Sequence, residues 1–397
     1  MPKVNNPYPQ EVFMIKLIFI TLIACAFFST TYIFNELMSD AGGHWYWSAS
    51  LRYLFMFILL TIIIGFQDGW QRIKALWHIY ISHWRFWTLT GSIGFGIFYA
   101  ALCYAGDHVS GWVVAATFMF TVVASLFVLM AFGHRFDRRF IVYAGIIFIG
   151  VVMANISEAI AGANESLVID IPLLDIIIYG TLPSLLAAFS YPIGSQLVWQ
   201  ASYNARVYNV QQAKQQQTLK NLTFWTVNNE FQPLTTLAPR IVSLKMGDYF
   251  QQQSENVAIT QLPKSKLQQL IELIPTIPTT LLRSSFNKVW LMTVGSIPFW
   301  IALGIAVRPE APMQSQVHNT FLVALLSGVI ATSLYLYARE QAQTPSEVAG
   351  VDATQASEII FALLGGILLL NNPLPSMLGI GGIVLVLTGL MLFAKNG

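Results

Sequence analysis

Ten stretches of about twenty mostly apolar residues follow one another along this chain, each long enough to cross a bilayer core as an α-helix. They lie near 16–37, 47–66, 86–106, 111–132 and 140–156, then 173–200, 288–307, 318–338, 349–370 and 376–394. The fifth is short and the sixth long. Backbone polar groups find no water in hydrocarbon, so such segments must satisfy them internally, as helix. The reading is an all-α polytopic membrane protein with about ten transmembrane helices. Composition agrees, because 55% of the 397 residues are hydrophobic and 10% charged, against about 25% charged in soluble domains. The first run leads directly into further apolar segments, so it reads as a retained helix and not as a cleaved signal peptide.

A net charge of +2 gives no ground for binding nucleic acid, so the placement of the charges has to carry the electrostatic argument. With the N-terminus in the cytoplasm, Lys3, Lys16, Arg72, Lys74, Arg85, Arg135, Arg138, Arg139, Arg339 and Lys395 fall on the inner side, and only Arg52 and Arg308 on the outer. The positive-inside rule therefore puts both termini on the cytoplasmic side of the cytoplasmic membrane. The outer loop 157–172 fits, with Glu158, Glu165 and Asp170 and no Lys or Arg. In 67–85, Trp70, Ile73, Trp77, Ile81 and Trp84 recur at helical spacing, as in an interfacial helix or a loop with aromatic anchors.

Five spans per half is an odd number, so two copies of a five-helix unit must enter the membrane in opposite orientations, as inverted repeats. Phe28-Ser29 with Asn35 in the first span resembles Phe189-Ser190 with Gln196 in the sixth, and Ala116-Thr117 in the fourth resembles Ala353-Thr354 in the ninth. The organisation expected is a first repeat over 1–160, the first helix of the second repeat at 173–200, a polar insertion at 201–287 and four more helices at 288–397. That insertion holds twelve glutamines and nothing long enough to span. It reads as a cytoplasmic connector or a folded regulatory domain, with Lys264 to Ile274 patterned as a short amphipathic helix.

No phosphate-binding G-x-x-x-x-G-K-[ST] loop, H-E-x-x-H or paired-Cys motif is present, so neither an ATP-driven pump nor an enzyme is expected, and no cofactor or metal. Cys25 and Cys103 lie in apolar runs and read as small core residues. An ionisable residue inside hydrocarbon costs at least ~2.5–3.5 kcal/mol unless it is paired or faces a cavity, so such residues point to function. Glu358 is the clearest. It is expected near the middle of the ninth span, with Glu347, Val351 and Thr354 on its helix face and Asp352 and Gln355 on the adjoining one. A role in substrate or proton passage and a structural hydrogen bond to a neighbouring helix are both open. Arg52, about one turn into the second span, could pair with Glu36 or snorkel to headgroups. Tyr99 and Tyr191 are the deeper aromatics and would suit a flat or cationic compound. Trp45, Trp47 and Trp112, at span ends, read as interfacial belt residues. Gly91, Gly94 and Gly96, and Gly379, Gly381 and Gly382, read as helix-packing positions.

The runs GHWYWSASLR from Gly43, FGIFYAALCYAG from Phe95, SGVIATSLYLYA from Ser327 and VDATQASEIIFALLGGILLL from Val351 resemble the multidrug-resistance efflux transporter family of the drug/metabolite transporter superfamily. The resemblance covers both membrane halves and leaves out 201–287. It implies ten helices in two inverted five-helix repeats, alternating access around a central cavity, and export driven by an ion gradient, usually protons. Small multidrug transporters of the same superfamily depend on a glutamate in the middle of their first helix, whereas this sequence has only Glu36 at the far end. If protons are coupled here, Glu358 with Asp352 carries them. The function expected is ion-coupled export of small amphipathic or cationic compounds or metabolites. An uncoupled permease, or a sensor or scaffold acting through 201–287, is the alternative. The partners expected are the small-molecule substrate, protons and the lipid bilayer, with a homodimer an open possibility.

Overall fold

The computed structural model describes residues 10–132, 139–165, 173–228, 274–277, 279–341, 351 and 354–396. Among these every regular element is helical. The chain divides into two units, Met1–Trp199 with Leu281–Gly397, and Gln200–Thr280.

In the first unit, α1 (Gln10–Asp40), α2 (Trp45–Asp68), the short α3 (Trp70–Ser82) and α4 (Trp84–Gly106) follow in order. Then come α5 (Gly111–Phe118), α6 (Thr121–Ala131) and α7 (Arg139–Glu165). A π-helical turn over Ile176–Thr181 leads into α8 (Leu182–Asn228), which belongs to this unit as far as Trp199. It is completed by α9 (Ser285–Val307), α10 (Gln314–Tyr335), α11 (Ser357–Leu370) and α12 (Met377–Asn396). Among the described residues six helical stretches are long and apolar enough to cross a membrane: Ile15–Asp40, Trp45–Asp68, Trp84–Gly106, Ile176–Ala205, Ser285–Val307 and Gln314–Tyr335. Four further apolar helical stretches are shorter, at Gly111–Ser125, Ile141–Ser157, Ser357–Leu370 and Met377–Leu392.

Two of the expected spans are not single α-helices. The fourth breaks at Met119 and Phe120, where Phe120 N–H bonds back three residues to the Thr117 carbonyl at 3.1 Å, not four. The ninth, helical at Val351, carries a 3-10 turn over Thr354–Ala356 and is α-helical again from Ser357. Glu358 thus lies directly after this turn, in the first turn of α11. The stripe running back to Val351 is not one α-helical face. Asp352 and Glu347, expected on that stripe, lie outside the described residues. A 3-10 turn advances 120° per residue in place of 100°, so periodicity drawn through it loses register.

Packing joins the halves pairwise. Helix α1 lies against α10 and α11, α2 against α9 and α10, α4 against α9, α5 against α11 and α7 against α12. Glycines set the closest of these crossings. A Cβ built on Gly295 would stand 2.7 Å from the Trp87 carbonyl carbon, and one on Gly91 2.6 Å from Ser296 N, so α4 and α9 touch backbone to backbone. At the α7–α12 crossing, Gly382 approaches the Gly150 carbonyl in the same way, where a Cβ would lie 2.7 Å away. Gly94, Gly96 and Gly379 are equally confined, and Gly381 meets only the end of the Met153 side chain at 3.1 Å.

Helix α3 falls within 67–85 and has two faces. Leu76 and Ile79 are buried, while Trp70, Trp77 and Ile81 are about half exposed. The aromatic stripe therefore points away from the protein core, as an apolar face meant for lipid would. Cys25 and Cys103 are buried free thiols. In the second unit, the residues of α8 from Gln200 to Asn228 are helical, and Asn209 Nδ2 donates to the Thr279 carbonyl at 3.0 Å. The amphipathic pattern from Lys264 lies outside the described residues except for Ile274.

Candidate functional site

The buried polar side chains of the first unit collect around α1. Helix α1 packs against α2, α4, α5, α10 and α11, and its Cys25, Thr31, Tyr32, Asn35 and Glu36 are all buried. Arg52 comes from α2, Tyr99 from α4, Ser327 from the π-helical turn Ala324–Ala331 in α10, and Glu358 from α11. A π turn widens a helix by one residue and re-aims its side chains, a distortion that recurs at functional sites. Helix α4 carries one too, over Ser92–Ile97, one turn before Tyr99.

Arg52 is 8% exposed, so it does not snorkel. Its Nη2 donates to Ser327 Oγ at 2.9 Å and its Nη1 to Thr31 Oγ1 at 3.4 Å, while Thr31 Oγ1 donates to Ser327 Oγ at 2.6 Å. The guanidinium carbon stands 4.1 Å from the centre of the Tyr99 ring, a cation–π contact strengthened by desolvation. Tyr99 in turn donates its hydroxyl to Asn35 Oδ1 at 3.3 Å. Glu36, only one residue on, reaches other partners: it accepts the Gly111 N–H at 2.8 Å and the side-chain amide of Asn372. The two charged residues that could have paired are thus built into separate networks. One residue along α1 turns the side chain by 100°, which carries Glu36 away from α2 and towards α5.

Glu358 is 7% exposed and lies beside the Tyr32 hydroxyl, and Tyr32 is also within electrostatic reach of Arg52. A carboxyl in the first turn of α11 sees the positive end of the helix dipole. Two turns back along α1, Cys25 Sγ donates to the Thr354 carbonyl at 3.3 Å, tying the 3-10 turn to α1. Gln355 sits partly buried in that turn. Tyr191 is partly buried, with its ring 5.2 Å from Phe98 and 6.2 Å from Phe118, and the adjacent Pro192 lies inside an unbroken α8. Phe98 packs on Tyr99, so the two deep tyrosines belong to one aromatic run.

Several participants were missed from sequence. Tyr53 stacks on Phe95 at 5.1 Å and on Trp300 at 5.6 Å, which walls the Arg52 side of the site with aromatic rings. Thr117, Asn155 and Thr181 form a second buried cluster: Asn155 Nδ2 donates to Thr117 Oγ1 at 2.9 Å and Thr181 Oγ1 to Asn155 Oδ1 at 2.7 Å. Neutral polar residues in apolar runs look alike in sequence, and only their convergence marks these. Trp112, read as a belt residue, is 4% exposed and belongs to the core. Its span end is covered by the close approach of Gly111 to Tyr32 on α1.

Two cavities flank these networks. One of about 380 Å³ is almost wholly apolar and is lined by Trp45, Ala101, Tyr104, Leu186, Phe299 and Leu303. The other, about 530 Å³, lies at the end of the bundle that holds His44, Asp107, His108 and Glu310. Gln316 closes its floor by donating Nε2 to the His44 carbonyl at 2.8 Å and to Ser48 Oγ at 2.9 Å. Ser48 is one helical turn from Arg52. A layer of side chains therefore separates this cavity from the charged network.

Comparison with known proteins gives one family. The model of the EmrE family, described as "Putative multidrug resistance efflux transporter", matches residues 15–396. Among relatives, the uncharacterized protein YjlA of Bacillus subtilis strain 168 is 26% identical over 393 residues, covering 95% of this chain and 94% of that one. An uncharacterized 42.1 kDa protein of Shouchella clausii, in the intracellular alkaline protease 3' region, is 24% identical over 358 residues, covering 87% of this chain and 70% of that one.

Proposed function

This chain belongs to the EmrE family of multidrug resistance efflux transporters, and from that premise we propose that it is a secondary active transporter working by ion-coupled alternating access. In this reading the six long and four shorter apolar helical stretches are ten spans in two inverted repeats, with both termini in the cytoplasm. It exports small amphipathic compounds, cations or metabolites. Glu358 with Asp352 carries the coupled protons.

The observation that carries the reading is the pair of interrupted spans. In the fourth span the α-helix restarts at Thr121, four residues after Thr117; in the ninth it restarts at Ser357, three residues after Thr354. Those threonines are the ones matched by the internal Ala-Thr similarity. Interrupted helices in corresponding positions of two halves mark the substrate and ion site in inverted-repeat transporters, because freed backbone groups and helix ends can then face a polar path. Contacts support the same exchange of halves, since helix α4 meets α9 as α2 meets α10.

In the coupling step, Glu358 alternates between a protonated form when sealed between α1 and α11 and an ionised form when its side is open to water. Tyr32 offers it a hydroxyl. The test is uptake of lipophilic cations and metabolites into inverted vesicles, with and without an imposed proton gradient, for wild type and Glu358→Gln. Gradient-driven accumulation that drops at least tenfold in a well-folded mutant is expected. Unchanged accumulation in Glu358→Gln would remove the coupling role.

A further inference from the structure

Arg52 presents an electrostatic problem that proton coupling at Glu358 leaves unsolved. A buried guanidinium is always charged and has five N–H donors and no acceptor. Among the described residues no carboxylate forms an ion pair with it. Its partners are two hydroxyls, the face of Tyr99 and, at 6.0 Å, the ring of Tyr53. These offset part of the desolvation cost, but a charge held in hydrocarbon without a counter-charge remains expensive and is retained for a function.

Besides Ser50 Oγ and the acceptor Gln316 Oε1, which are also unpaired, three unused groups of this network are N–H donors. Arg52 Nε has no partner, and neither has Nδ2 of Asn35, which is 5% exposed and shares Tyr99 with Arg52. The third is Trp300 Nε1, whose ring stacks on Tyr53 next to Arg52. Each is an N–H donor. Nearby acceptors are already engaged: Thr31 and Ser327 with Arg52 and with each other, and Asn35 Oδ1 with Tyr99. Buried donors almost always find acceptors, so a local surplus of donors around a positive charge describes the missing group as a negatively charged acceptor.

We propose that Arg52 and Asn35 form the recognition site for an anionic group, a carboxylate or a phosphate ester, on the transported molecule. This rests on the transport reading above and narrows its substrate class. The aromatic walls formed by Tyr53, Tyr99 and Trp300 select an organic anion with a flat or apolar body over an inorganic ion. A cationic substrate is disfavoured for a direct reason: the Arg52 guanidinium already occupies the face of Tyr99 that a substrate cation would use. Glu358, on the other side of Tyr32, stays available for the proton.

The full chain in lipid nanodiscs is titrated with matched probes, benzoate against benzylamine and phenyl phosphate against phenol, following protection from thermal unfolding. Saturable stabilisation by at least one of the two anions is expected, with none from the amine at equal concentration. Arg52→Gln should weaken anion binding at least tenfold, and Arg52→Lys, which keeps a point charge but loses the planar fork, less than that. Asn35→Asp supplies the anion from within the chain, so it should abolish probe binding and raise the melting temperature. That variant and Arg52→Lys carry the test should Arg52→Gln fail to fold. No saturable stabilisation by either anion, equal binding in the Arg52 and Asn35 variants, or preferential stabilisation by benzylamine would each overturn the proposal. Binding in nanodiscs needs no gradient. Retained coupling in Glu358→Gln would therefore sink the proton reading and leave the anion site standing, and absence of anion binding to the wild-type chain would do the reverse.

Discussion

At the residue scale, chemistry here is decided by partners that sequence spacing does not reveal. Arg52 and Glu36 are both buried near the same end of the bundle's spans, yet one joins hydroxyls and a tyrosine face while the other accepts from Gly111 and Asn372. Asp107, just beyond the end of α4, shows a milder case of buried charge. Burial pushes its carboxyl above the ordinary carboxylate range, and a hydrogen bond from Ser39 opposes that push. Below the ordinary value of 3.8 the group is protonated in both folded and unfolded chains and its burial costs little. As pH rises through that value and past the raised one, ionisation is imposed on a partly buried site and stability is lost. Asp107→Asn should accordingly raise the melting temperature at neutral pH, with the gain vanishing near pH 3.8 and below. A gain of equal size at both pH values would mean that packing, and not charge, is responsible.

At the element scale, the crossings depend on glycine wherever two backbones touch. Membrane helices lack a hydrophobic drive to associate, so close contact between small residues supplies much of the binding. A side chain at Gly295 would have to displace the Trp87 carbonyl on α4, and backbone cannot move aside as a flexible side chain can. Overpacking of this kind costs about 1–3 kcal/mol or more. Gly295→Val is expected to abolish monodisperse protein on size-exclusion chromatography, whereas Gly381→Ala, facing only the tip of Met153, should elute as wild type. Identical elution of both variants would show that the α4–α9 crossing has slack. Helix α3 illustrates the converse, for its Trp stripe is legible in sequence although its direction is not. Leu76 and Ile79 face inward, leaving Trp70 and Trp77 to the outside.

At the scale of the whole molecule, the proposed alternating access would require that the seal between the His44 end of the bundle and Arg52 open and close. Gln316, Ser48 and the His44 carbonyl form that seal, bringing α2 and α10 together, and Thr320 on α10 adds a contact to Met38 of α1. Cysteines at positions 48 and 316, in a chain from which Cys25 and Cys103 have been replaced, should be bridged by cadmium or mild oxidation. Transport should then stop, and return when the bridge is removed by chelator or reductant. Flux that continues through a fully bridged protein would rule out opening at that end.

The sequence by itself determined the class of the molecule. Lengths and order of the apolar runs, and burial of Glu358 and Tyr99 in apolar surroundings, follow from hydropathy and from the cost of charge in hydrocarbon, whereas for Arg52 hydropathy left burial and snorkelling equally open. What tertiary structure decided is who meets whom. The breaks at Met119–Phe120 and Thr354–Ala356 leave no proline or glycine signature, so uniform 100° spacing ran the Glu358 stripe through a turn where the register changes. Likewise, the convergence of Thr31, Asn35, Arg52, Tyr99 and Ser327 joins four helices that are far apart in sequence. Periodicity fixes the face of one helix at a time, whereas a binding site is a property of several faces brought together by packing.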